Sequence, residues 1–142
     1  MASISANTAH PLVGFIGAGN MARSLAGGLL KNGWSQAQVT LADPDSAQRE
    51  AIQTFLGVNA LADNNTVATR ADILVLAIKP QIFADVAKGL AATVQKKKPL
   101  VISVAAGIRI EDIDRWLGGN LPVVPTDIIL NSIKLNVIHV TH

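Results

Sequence analysis

The chain has 142 residues, 49% hydrophobic and 15% charged, which gives enough apolar surface for one core and too little charge for a disordered chain. Twelve Lys and Arg against ten Asp and Glu leave a net charge of +2, too weak a field for the usual nucleic-acid partner. No cysteine is present, which excludes a disulfide framework and thiolate chemistry and makes the cytoplasm the expected compartment.

Residues 1–11 lack the basic start and apolar middle of a secretory signal and are expected to form a mobile arm. Residues 12–16, Leu-Val-Gly-Phe-Ile, are a short apolar run of the kind buried on both faces of a parallel sheet. A first helix is predicted over 21–31, with Met21, Leu25, Leu29 and Leu30 as its apolar positions and Asn32-Gly33 as its stop. A second strand is predicted over 39–42. The helix after it spans 45–56, entered at Asp45 or Ser46 and ended by Gly57. Residues 58–60 read as a short third strand and 64–70 as a turn or brief helix. The aliphatic run 73–78 is the fourth strand, stopped by Lys79-Pro80.

A helix over 82–94 and a strand over 100–104 follow, the strand leading into Ala105-Ala106-Gly107. Lys96-Lys97-Lys98, with no aromatic neighbour to stack a base, is expected in a solvated loop. A last short helix over 110–117 ends at Gly118-Gly119. No apolar stretch approaches the roughly 20 residues that span a bilayer, so no membrane partner is expected. Strand and helix alternate through 12–124, which predicts one domain built on an open α/β sheet with helices on both faces. Residues 125–142 read as a divergent tail. There Ile133, Leu135 and Val137 alternate with Lys134 and Asn136, a candidate edge strand able to pair with another copy.

Directly after the first strand stands Gly17-Ala18-Gly19-Asn20-Met21-Ala22, a G-x-G-x-x-A turn that opens the first helix. Gly17 permits the tight turn, Gly19 lets a pyrophosphate approach the backbone, and Ala22 lets the helix pack closely on the strand. The helix start supplies unpaired N–H groups and a favourable dipole, so no lysine is needed; Arg23 is the nearest cation in sequence. This context points to a dinucleotide on a Rossmann-type, doubly wound, mostly parallel sheet. A P-loop is excluded, because no Gly-Lys-Ser/Thr follows at the required spacing.

Asp43, at the end of the second strand, has two readings. It stands where a carboxylate accepts from ribose hydroxyls, which favours NAD over NADP, and it also stands where an N-cap would start the next helix. Arg49, one turn on, would partly offset its charge and admit a phosphate, so coenzyme choice stays open. The ends of the fourth and fifth strands bring Ala77-Ile78-Lys79-Pro80 and residues 103–107 to the carboxyl edge of the sheet, as ligand contacts or simply as loop geometry. His10, His139 and His142 have no partner at a diagnostic spacing, so neither a triad nor a metal site is expected. Trp34 and Trp116 are assigned to core packing, and Gly27-Gly28 to close contact with a neighbouring element.

Three segments together, Phe15 through Ala22, Ala77-Ile78-Lys79-Pro80-Gln81 and Ser103-Val104-Ala105-Ala106-Gly107-Ile108, resemble the N-terminal half of pyrroline-5-carboxylate reductase over residues 13–124. The resemblance implies hydride transfer from NADP(H) or NAD(H) to the imine carbon of 1-pyrroline-5-carboxylate in proline synthesis. By resemblance, Gly17 through Ala22 hold the pyrophosphate, Asn64 lies near the adenosine, Ala77 through Pro80 lie near the nicotinamide, and Ala105, Ala106 and Gly107 border the coenzyme. The family continues into a helical substrate domain that these residues do not match, so the chain is expected to bind coenzyme without turnover and no catalytic residue is named. Two other readings are a noncatalytic NAD(P)-binding regulatory or interaction module, and a related hydroxyacid or deazaflavin-dependent oxidoreductase domain.

Overall fold

A computed structural model describes residues 11–105 and 107–125. Six strands form one sheet: β1 Val13–Ile16, β2 Val39–Ala42, β3 Asn59–Leu61, β4 Ile73–Leu76, β5 Leu100–Ser103 and β6 Val123–Pro125. Five α-helices connect them: α1 Asn20–Lys31, α2 Ser46–Leu56, α3 Asn64–Arg70, α4 Pro80–Lys97 and α5 Ile110–Trp116. The strand order is β3-β2-β1-β4-β5-β6 and every pairing is parallel. This is the doubly wound order, so the predicted Rossmann-type sheet is what the chain forms.

Burial on both faces explains the apolar strands. Val13 and Phe15 of β1, with Ile73 and Val75 of β4, pack in a cluster with Ala22, Ala26 and Leu29 of α1 and Ile52 of α2. The alternating residues Ile16, Leu74 and Leu76 face the opposite cluster, formed with Val67 of α3, Phe83 and Leu90 of α4 and Ile113 of α5. Trp34 is buried in the first cluster, as expected. Trp116 is half-buried and tilts against Phe83 at a ring-centroid distance of 6.2 Å.

Local chemistry sets the helix boundaries. Asp45, not Asp43, caps α2 by accepting from the Ala47 N–H, and Gly57 ends it in a left-handed conformation. Asp63 caps α3 and accepts from both the Thr66 N–H and its hydroxyl, which hold the Asp63 carboxyl below its ordinary value, the hydroxyl contributing most. The brief-helix reading of 64–70 is therefore the one observed.

Several expectations are corrected. α4 begins at Pro80, which fits the first helical position after the extended Lys79 cap, and it runs on through Lys97. The lysine run is thus no loop: Lys96 and Lys97 form the last turn, where cations suit the helix dipole, and Lys98 is the left-handed cap. On α1 the buried positions are Ala22, Ala26 and Leu29, because small residues let the helix approach the sheet; Met21 is 53% exposed. Gly27 meets only Leu56 at ordinary contact distance, and a Cβ at Gly28 would meet nothing, so close packing does not explain that pair. β4 stops at Leu76 rather than at residue 78. β6 was not anticipated. The predicted edge strand beyond it, the N-terminal arm up to residue 10 and all three histidines lie outside the described residues.

Candidate functional site

Connections from β1 run to one side of the sheet and the connection out of β4 to the other, so the two strands part at their carboxyl ends and leave a crevice. A cleft of about 510 Å³ lies there, lined by the glycine turn, the end of β2, the first residue of α3, the exit of β4 and the start of α4.

The floor of the cleft is the turn. Gly17 has φ +104°, a region that favours glycine, and a Cβ built on it would lie 2.3 Å from the Ala77 carbonyl oxygen. Gly19 differs. It is the extended N-cap of α1 (φ −81°), a Cβ on it would meet nothing within 4 Å, and no side chain caps the helix's first N–H groups. No acidic residue stands in the first turn of α1, and the Asp43 carboxylate beside it is taken up by the Ala18 and Asp45 N–H groups. A Cβ-free cradle over helix N–H groups fits a phosphate-bearing coenzyme.

Most of the expected site residues come together here. Gly17, Gly19, Asn20, Met21 and Ala22 line one wall, Asp43 and Asn64 another, and Ala77, Ile78 and Lys79 a third. Ala18 does not line it: its side chain is fully buried and its N–H is given to Asp43. Pro80, Ala105 and Gly107 also stand outside the lining, and Ala106 lies outside the described residues. Arg23 turns away from the turn to lie over the exposed Phe55 ring, 5.7 Å from its centroid. Arg49 donates to the backbone carbonyls of Asp43 and Pro44, not to the Asp43 carboxylate.

Sequence reading missed part of the apolar lining, Ile82 and Val86. Ile82 and Val86 on α4 and Val104 after β5 border the cleft, and Ile82 is 51% exposed, as an apolar wall for a flat ring would be. The signal was present in Ile82, a large apolar residue at a helix start beside the crevice, but periodicity alone assigns such a residue to a core.

The profile of the family described as "NADP oxidoreductase coenzyme F420-dependent" matches residues 12–107, from the first strand through the segment after β5. The chain belongs to this family. Within it, the likeness to pyrroline-5-carboxylate reductases is strong: 41% identity over 115 residues, 81% of the chain, to the Vibrio alginolyticus protein. The Pseudomonas aeruginosa pyrroline-5-carboxylate reductase is 40% identical over 114 residues, 80% of the chain. The solved structure of a pyrroline-5-carboxylate reductase from Coxiella burnetii superposes with a TM-score of 0.77 at 33% identity, covering 81% of this chain and 43% of that one. The chain spans 42% and 41% of the length of the Vibrio and Pseudomonas relatives. The resemblance expected from the three motifs is therefore found, and it falls on the coenzyme-binding part. A prephenate dehydrogenase from A. aeolicus, at 18% identity and a TM-score of 0.64, shares the fold alone.

Proposed function

We propose that residues 12–124 bind a nicotinamide dinucleotide, NADP(H) or NAD(H), as the coenzyme half of a pyrroline-5-carboxylate reductase. The observation that carries this reading is Gly19: a glycine whose missing side chain faces open space at an uncapped helix start, inside a cleft at the sheet's switch point. Amides from Gly19 into the first turn of α1 hold the pyrophosphate, Asn64 stands toward the adenosine, and Lys79 offers a cation at the β4 exit. Ala105, Ala106 and Gly107 belong to the same proposal as border residues. The bound coenzyme supplies a hydride to the imine carbon of 1-pyrroline-5-carboxylate. The cleft's own residues hold and orient it, and Ile78, Ile82 and Val86 exclude water from one side.

The 142 residues span 42% and 41% of the Vibrio and Pseudomonas relatives, and the proposal gives them coenzyme binding, not turnover. A cytoplasmic location, suggested by the cysteine-free composition, and self-association through residues 125–142 are parts of the same proposal. Titration of NADH and NADPH, followed by coenzyme fluorescence, tests it. Binding below millimolar concentration supports the reading, whereas the absence of binding for both refutes it. Rapid coenzyme oxidation on adding 1-pyrroline-5-carboxylate would refute the division of labour.

A further inference from the structure

We infer that Asp43 is a positioning residue for the pyrophosphate: it is a strut that holds the glycine turn. The inference rests on the coenzyme reading above. Every polar group of Asp43 is engaged within the protein. Its N–H donates to the Leu61 carbonyl and its own carbonyl accepts from Arg49 Nη1, both at 2.9 Å. Its Oδ1 accepts from the Asp45 N–H and its Oδ2 from the Ala18 N–H, again both at 2.9 Å. Backbone and side chain are thus fixed together at the end of β2.

The second carboxylate contact matters most. Ala18 is fully buried between the two glycines of the turn, and a buried amide left without an acceptor is costly. On its other side the turn is wedged by Ala77, whose carbonyl oxygen would lie 2.3 Å from any Cβ on Gly17 and whose N–H donates to the Ile16 carbonyl. The turn is therefore held from β2 by Asp43 and from β4 by Ala77. Since the Ala18 amide is spent inside the protein, the phosphates must be met by amides from Gly19 onward.

A strut and a sugar acceptor predict opposite effects of substitution on NADPH. NADH and NADPH carry the same pyrophosphate, so loss of the strut weakens both. Loss of a sugar acceptor weakens NADH and, by removing a charge that repels the 2′-phosphate, strengthens NADPH.

The test measures dissociation constants of the full 142-residue chain for NADH and NADPH, with Asp43→Ala and Asp43→Asn, together with hydrogen exchange of the Ala18 amide by NMR. Asp43→Ala is expected to weaken both coenzymes, NADH about tenfold and NADPH by less, because the variant also removes a negative charge from the cleft. Asp43→Asn, which retains one acceptor oxygen, is expected to weaken both about threefold. The Ala18 amide should be protected in the unsubstituted chain and exchange faster in both variants, while the β4 amides keep their protection. NADPH affinity unchanged or raised by Asp43→Ala overturns the inference, as does an Ala18 amide that exchanges freely before any substitution. If Asp43→Ala fails to fold, Asp43→Asn and the unsubstituted exchange rate still decide. If the unsubstituted chain binds neither coenzyme, the functional proposal fails, and the exchange of Ala18 with and without Asp43→Asn decides the strut separately.

Discussion

Alanine at the two glycines of the turn should separate folding from binding. Alanine at Gly17 must adopt φ +104°, and its Cβ would stand 2.3 Å from the Ala77 oxygen, more than 1 Å short of the ordinary contact range that starts at 3.4 Å. The clash pushes on Ala77, whose N–H is bonded to the Ile16 carbonyl. Backbone strain of about 1–3 kcal/mol and the loss of one hydrogen bond worth about 1 kcal/mol combine to destabilise Gly17→Ala by about 2–4 kcal/mol. Gly19 has φ −81° and open space beyond it, so Gly19→Ala leaves unfolding within about 1 kcal/mol of the parent. In the binding assay the added methyl stands where the proposal places a phosphate against the helix amides. One lost charged hydrogen bond, worth about 1.5–3 kcal/mol, weakens NADH and NADPH roughly 10- to 100-fold. Urea unfolding and fluorescence titration on the same preparations read both effects. A folded Gly19→Ala that binds like the parent, or a Gly17→Ala as stable as the parent, refutes the reasoning.

Gly14→Ala in β1 would bring a Cβ to 2.7 Å from Val67 Cγ1 and 3.1 Å from the Ala71 Cβ, so overpacking of β1 against α3 should cost about 1–3 kcal/mol in urea unfolding. Phe83→Ala empties a fully buried site beside Trp116 and should cost about 3–5 kcal/mol, accompanied by a change in tryptophan emission. Thr66→Ala removes the hydroxyl that contributes most to the lowered Asp63 value. Because the folded carboxyl titrates below the unfolded one, the parent should be more stable than the variant near neutral pH. The gap should close as pH falls through the folded value, below the ordinary aspartate range near about 3.9, in unfolding curves taken across pH.

The strands and the turn were legible because their causes are local. Burial on both faces makes Ile73, Leu74, Val75 and Leu76 an unbroken apolar run, and a strand-glycine-helix junction writes itself as Gly17 through Ala22. Where the cause is tertiary, legibility fades. Nothing local distinguishes Asp43 as cap, sugar acceptor or strut; its partner Ala18 is brought to it only when β2 pairs with β1. β6 escaped notice because its Val123-Val124 pair stands between Pro122 and Pro125, too short for any period, and proline is tolerated there at the sheet's edge. Gly27-Gly28 misled because a glycine reports only that a side chain is missing, not what the missing side chain would have met.

The cleft owes its shape to the ladder continuing past the strands. Beyond β1 the Gly17 N–H donates to the Ala42 carbonyl at 2.7 Å; beyond β4 the Ala77 N–H reaches Ile16 at 2.9 Å; beyond β5 the Val104 N–H reaches Leu76 at 3.2 Å. Asp43 repeats the pattern beyond β2 by donating to Leu61. Each loop that enters the site therefore starts from an atom fixed by the neighbouring strand, and the first freedom arises one residue further out. That order accounts for the contrast within the turn. Gly17 is held by the ladder and Ala18 by the Asp43 carboxylate, while Gly19, the first residue past those bonds, is bare and faces the cleft. A site built this way binds without first ordering its backbone, so side chains added at Gly19 act on affinity directly rather than through the fold.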